Sequence, residues 1–324
     1  MFLTAAATLL LAFLALGLGR FSIPPGEVLR ILLPVGGEAP RATALTTVLS
    51  IRVPRILMAL LCGAGLAASG AAFQALFANP LATPDTLGVA SGASFGAAFA
   101  ILLGMGSLGV QSTSLLMGLA AVGLVFVVSA SRGGRSMLMV ILAGMVVSSL
   151  FSALVSLVKV VADPQDVLPT ITFWLMGRLS GVTHKTLRLA APLILSGLGV
   201  LFLLRFRLNA LALPQDEARS LGLNLPRLRL AVILAGAAVT AAVVATCGVI
   251  GWVGLLVPHI ARLCFGDDNR RVIPASILFG ALFMLLVDTV ARTASAAEIP
   301  VSILTAVIGA PVFILLLRKA GGIR

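Results

Sequence analysis

Charged residues are scarce in this chain: Asp, Glu, Lys and Arg together make up 10% of its 324 residues, whereas 60% are hydrophobic. With a mean hydropathy of +1.14, that balance excludes an ordinary soluble domain. Lysine occurs only as Lys159, Lys185 and Lys319, and none of them follows a glycine. A P-loop needs Gly-Lys to cradle phosphates, so this chain cannot build one. His184 and His259 are the two histidines; they stand alone, without a His-Glu-x-x-His pair, and make no zinc site. Cys62, Cys247 and Cys264 are odd in number, lack metal-ligand spacing, and read as small packing residues. No Ser/Lys or paired-Asp constellation converges inside the apolar runs, which argues against an intramembrane enzyme. No catalytic residue, metal or resident cofactor is assigned.

What the chain has in abundance is apolar length. Runs of about 20 apolar residues each span a bilayer, and the pattern gives ten, near 3–19, 56–76, 87–105, 110–130, 137–161, 189–204, 228–247, 250–265, 275–293 and 301–317. The expectation is an all-α polytopic membrane protein, one transmembrane domain over 1–324. The first run resembles a signal peptide, but it has no basic leader and more spans follow, so it reads as a retained helix. The 33 glycines suit helices that pack backbone to backbone. The net charge of +12 points to lipid headgroups beside the spans rather than to nucleic acid. An even span number puts both termini on one side. Termini inside leaves thirteen basic residues in and ten out, a weak bias toward that orientation.

Several stretches stand out. Pro258-His259 interrupts the apolar run 249–257, and the segment then ends in Gly266-Asp267-Asp268-Asn269-Arg270-Arg271. Pro258 removes a donor, so the helix is expected to bend or break there, as membrane helices of transporters do. Pro80 and Pro84 bracket a non-helical turn that Asn79 and Asp85 can cap. Gly88, Gly92 and Gly96 then leave one helix face bare for close contact. Gln74 sits at the inner end of its span, placed to bond a neighbouring helix. Ser148, Ser149, Ser152 and Ser156 form a stripe that lines a water path or is packing polarity. Residues 27–33 form a short interfacial helix. In the inner loop 205–227, Gln215 to Leu221 reads as a short helix, stopped by Gly222 and Asn224 before Pro226 opens the next span. It is a connector at the headgroups or a docking element for a cytosolic partner. Asp288 is a carboxylate well inside a span, and Arg292, one turn on, is its expected ion-pair partner.

Taken together, RVPRILMALLCGAGLAASGAAFQALFANPLATPDTLGVASGAS, ITFWLMGRLSG, EARSLGLN, GVIGWVGLLVPHIARLCFGDDNRRVIPAS and DTVARTASAAEIPVSILTAVIGAPVFILLLRK resemble the FecCD permeases. These are the membrane subunits of type II ABC importers for iron chelates, haem and vitamin B12. The resemblance implies ten spans in a bacterial inner membrane and a homodimer, or a paired homologue, with the pathway on the dimer axis. It implies two cytosolic ATPase subunits carrying ATP and Mg, and a substrate-binding protein outside. By position it assigns Arg52, Arg55 and Arg292 to binding-protein docking. Glu217, Ala218, Arg219, Ser220, Leu221 and Gly222 would be the ATPase-coupling element. Asn79, Pro80, Leu81, Ser136, Met137 and Leu138 would form the inner gate, with Ser148 and Ser152 along the pathway. Two positions depart from the family pattern: Arg178, commonly a small serine, and Ser302, usually glycine. Tyrosine is absent. Metal-chelate import is the reading drawn from this resemblance. An oxyanion importer of the same family and a proton-coupled carrier using Asp288 are the alternatives.

Overall fold

The computed structural model describes residues 1–33, 40–130, 137–213, 217, 220, 222–295 and 298–321. Six of its helical stretches, Ala42–Phe77, Ser107–Val128, Met137–Val161, His184–Leu211, Leu225–Cys247 and Asn269–Thr293, are long and apolar enough to cross a membrane. Four shorter apolar helices, Phe2–Gly17, Val89–Leu102, Val253–Phe265 and Val301–Leu316, fill the remaining places in the sequence pattern. Each expected span therefore has a helix, and the described residues contain no strand. In chain order the helices are α1 (Phe2–Gly17), α2 (Pro25–Leu32), α3 (Ala42–Thr46), α4 (Val53–Phe77), α5 (Val89–Leu102), α6 (Ser107–Val128) and α7 (Met137–Val161). They continue as α8 (Val167–Leu175), α9 (His184–Leu208), α10 (Leu225–Cys247), α11 (Val253–Phe265), α12 (Asn269–Thr293) and α13 (Val301–Gly321).

Helix α4 is the centre of the bundle. It is lined by small residues, almost all buried, and packs against α9, α10, α11 and α12. Where α4 crosses α12, a side chain at Gly63 would run into the Gly280 backbone, and one at Gly280 into Gly63. Two bare backbones in contact give the close helix approach that membrane interfaces use in place of a hydrophobic driving force. A Cβ at Gly70 would likewise strike the backbone of Gly254 on α11. The expected glycine ridge on α5 is present in part. Gly92 and Gly96 abut the Met117 and Thr113 carbonyls of α6, whereas Gly88 turns to Ser148 of α7.

The helix break falls earlier than Pro258 suggests. Backbone leaves the helix at Gly248 (φ 74°) and re-enters after Trp252 (φ 70°), and Pro258 lies inside α11. The proline frees the Gly254 carbonyl one turn back, yet Gln74 of α4 compensates. Its Nε2 reaches the Gly254 and Leu255 carbonyls at 3.5 and 3.4 Å, and its Oε1 accepts from Arg262 at 3.2 Å. A freed carbonyl met by protein is tolerated at membrane depth, so the helix continues. At 13 residues, about 20 Å by the helical rise, α11 is too short for a bilayer about 30 Å thick. The segment Gly248–Trp252 spans the difference.

Candidate functional site

Helices that alternate through the bundle bring loops distant in sequence to two common ends. At one end Arg55 and Asp288 meet. The register follows from the glycine crossing: Arg55 precedes Gly63, and Asp288 follows Gly280, by the same two helical turns on antiparallel helices. Arg55 Nε donates to Asp288 Oδ1 at 2.8 Å, and its NH2 lies 2.8 Å from the same oxygen. Its NH1 donates to Glu298 Oε1 at 2.9 Å. Arg292, the partner expected from spacing, stands farther off, 3.8 Å from Asp288 Oδ2. The carboxylate is thus held across helices by Arg55 and, more loosely, by Arg292, the intrahelical partner expected from the spacing.

Arg292 and Arg52 serve another helix. Arg292 NH2 donates to the Ala15 carbonyl, and Arg52 donates to the Leu16 and Phe21 carbonyls, each at 2.5 Å. The last carbonyls of α1 have no intrahelical donor, and cations at that terminus also complement its dipole. Arg52, Arg55 and Arg292 are consequently 5%, 6% and 6% exposed, and Asp288 is 0%. The family resemblance assigned these three arginines to a docking face, with Arg292 also paired to Asp288; the fold turns their guanidiniums inward, each with a partner in its own chain. Glu298 is the more open member of the network, its side chain 36% exposed. Sequence reasoning missed its role, since nothing local links it to Arg55, 243 positions away.

Two cavities open at this arginine end. One of about 120 Å³ is lined by Arg55, Phe173, Arg178 and Glu298 among others. A larger one of about 300 Å³ lies beyond Arg178, toward Gln111, Thr170, Trp174 and Thr246. The turn carrying Arg178 is pinned on both sides. Arg178 N donates to the Cys247 carbonyl at 2.7 Å, Val301 N donates to the Gly177 carbonyl at 3.0 Å, and Ser302 Oγ donates to the Met176 carbonyl. The two departures from the family pattern, Arg178 and Ser302, therefore share one loop junction.

At the opposite end, α4 stops with Ala78 in the left-handed region (φ 47°). Asn79 Oδ1 accepts the Leu81 amide at 2.9 Å, a side-chain turn that projects Leu81, 55% exposed. Met137 and Leu138 open α7, with Leu138 63% exposed; Ser136 lies outside the described residues. A cavity of about 330 Å³ joins Asn79 and Pro80 to Gln74, Arg262 and Asn269. In the loop 205–227, Ser220 Oγ donates to the Glu217 carbonyl at 2.7 Å, and Gly222 takes φ 73° with open space around it among the described residues. Gln215, Ala218, Arg219 and Leu221 lie outside the described residues. Asn224 caps α10 through the Arg227 amide at 3.1 Å. Asn209, just after α9, donates to Asp268 at 2.7 Å, and this amide holds the Asp268 carboxyl below its usual range. On α7, Ser149 and Ser156 bond to their own helix, and with Ser152 they are exposed; Ser148 is half-buried against Gly88.

Comparison with known proteins places this architecture. The model of the FecCD transport family matches residues 7–319. The chain belongs to the FecCD transport family. Among FecCD relatives, the molybdate import system permease protein MolB of Haemophilus influenzae is 43% identical over 95% of this chain and 92% of that protein. A Helicobacter pylori protein named as a probable iron chelatin transport system permease is 36% identical over 98% of both chains. A solved structure, described as an inward-facing conformation of a transporter provisionally assigned to the metal-chelate ABC type, superposes with a TM-score of 0.89. It is 40% identical and covers 98% of each chain. The fold is that of the type II ABC permeases, and the protein is a multi-pass ABC importer permease of the FecCD family. That membership sets aside the proton-coupled carrier, as does the geometry of Asp288, which is sealed between two guanidiniums.

Proposed function

We propose that this permease is the translocating subunit of an ATP-driven importer that carries a metal oxyanion into the cytoplasm. The supporting observation is Arg178: a guanidinium with no ion-pair partner among the described residues, standing at the junction of two cavities at the arginine end. The 43% identity to a permease named for molybdate import supports the same reading. Metal-chelate import, the reading drawn from the motifs, is the second; it is favoured by the iron chelatin relative and by the solved neighbour.

In this proposal the arginine end faces outward, both termini are cytoplasmic, and the membrane is the bacterial inner membrane. The loop Glu217–Gly222 docks in a groove of an ATPase subunit, which binds ATP and Mg. A second copy of the chain completes the pathway. The exposed apolar face of α7, including Met145, Val146 and Leu150, meets that copy or lipid. Leu81 and Leu138 close the inner end as an apolar constriction. A bilobed binding protein docks over the network of Arg55 and Glu298, where its own carboxylates compete with Glu298 for Arg55. Arginine suits that exchange because its planar fork takes two acceptors at once.

The test is uptake into proteoliposomes holding permease, ATPase and binding protein. ATP-dependent accumulation of molybdate or tungstate, with no accumulation of a ferric siderophore, is the expected result. Accumulation of the chelate alone would replace this reading with the second.

A further inference from the structure

The cavity beyond Arg178 carries an inference that rests on the oxyanion reading and adds a site to it. It holds about 300 Å³, at the low end of ligand pockets. Its lining is unusually polar for a span boundary, with Ser107, Gln111, Thr170, Thr246 and Arg178 beside Trp174. Gln111 is 4% exposed; its Nε2 donates to Thr246 Oγ1 at 2.8 Å and to the Thr186 carbonyl at 3.1 Å. Its Oε1 is buried with no partner. The two bonds fix the Gln111 side chain in the cavity wall, which is one half of the site. Arg178 supplies the other half: an exposed cation without an ion-pair partner among the described residues, on a loop fixed from both sides by backbone bonds to Cys247 and Val301.

The geometry points to a resting site for one small, hydrated or protonated tetrahedral oxyanion in each permease subunit. Arg178 would take its negative oxygens with parallel N–H donors. The loop is held before the ion arrives, which is the condition for a selective site. The space admits such an ion with its first waters, whereas a macrocyclic chelate would not enter it. Arg178 is thus a specificity-determining residue, and the chain reads its cargo's charge directly rather than leaving recognition wholly to the binding protein.

The probe is sodium tungstate titrated into the full-length permease in nanodiscs, followed calorimetrically without ATPase or binding protein. Saturable binding is expected, weakened about tenfold or more in Arg178→Gln, the loss of one charge-assisted contact. Arg178→Lys should regain part of it, and Lys185→Gln, which removes an equal charge from an exposed position at the same end, should leave it unchanged. Thermal stability of all variants is measured alongside. No saturable binding by the wild type, or equal losses in Arg178→Gln and Lys185→Gln, would overturn the site. The oxyanion reading would survive either result if proteoliposome uptake of molybdate persisted. Saturable Arg178-dependent binding with chelate-only uptake would instead keep the site and remove that reading.

Discussion

Arg55 and Asp288 are 233 positions apart in the chain and 2.8 Å apart in the fold. Their meeting depends on Gly63 and Gly280, whose bare backbones let α4 and α12 cross closely enough for side chains two turns away to touch. Neither charge could remain alone at this depth, because an unpaired ion inside a protein or bilayer is strongly disfavoured. The pair therefore locks the register of the two helices.

Truncating one member should expose that dependence. Arg55→Ala or Asp288→Asn is expected to destabilise the folded permease by less than the roughly 3–5 kcal/mol of stranding a buried charge, because Arg292 and Glu298 remain as second partners. Replacing both with apolar residues of similar volume should recover most of the loss. A thermal-unfolding double-mutant cycle in detergent checks this; single variants as stable as the parent would show that the pair is not structural.

Binding-protein docking should respond in opposite directions to two changes. Per folded permease, with thermal unfolding measured alongside, Arg55→Glu should weaken association, while Glu298→Gln, which removes the internal competitor, should strengthen it. Both effects should shrink as salt rises, because rim electrostatics mainly speed and orient encounter. Surface-captured binding protein titrated with permease nanodiscs at low and high salt measures this. Identical affinities for parent and both variants would place the docking contacts elsewhere.

In the loop proposed to couple to the ATPase, Gly222 has a positive φ and, among the described residues, no atom within 4 Å of where a Cβ would sit. Backbone conformation, not crowding, is therefore what a substitution disturbs. Gly222→Val should sharply reduce ATP-driven uptake while insertion is preserved, and Gly222→Asn, which tolerates this conformation, should be milder. Uptake per inserted transporter, set against ATP turnover, separates uncoupling from misfolding. Equal uptake by Gly222→Val and parent would dissociate the loop from coupling.

The proposed constriction at Leu81 predicts a crosslink. Leu81→Cys, in a background with Cys62, Cys247 and Cys264 replaced, should form a dimer under mild oxidation and stop transport until reduced. Nonreducing gels and uptake on the same vesicles report both quantities. Efficient crosslinking with undiminished uptake would move the gate away from Leu81.

Composition and hydropathy determined the all-helical membrane architecture, the ten apolar segments and the lack of a P-loop, because each follows from local length and residue type. The turn at Asn79 was legible for the same reason: a side-chain cap is local chemistry. The family motifs extended that reach to the class of transporter. Only the tertiary structure decided how the interior charges are used. The helix spacing offered Arg292 to Asp288, the helix crossing added Arg55 at shorter range, and the carbonyls of α1 drew in Arg52 and Arg292. The Pro258 break moved to Gly248–Trp252 because Gln74, from another helix, met the freed carbonyl. Pairings set by packing between distant helices leave no trace in local spacing, and so Glu298 and the cavity beside Arg178 became visible only when the bundle closed.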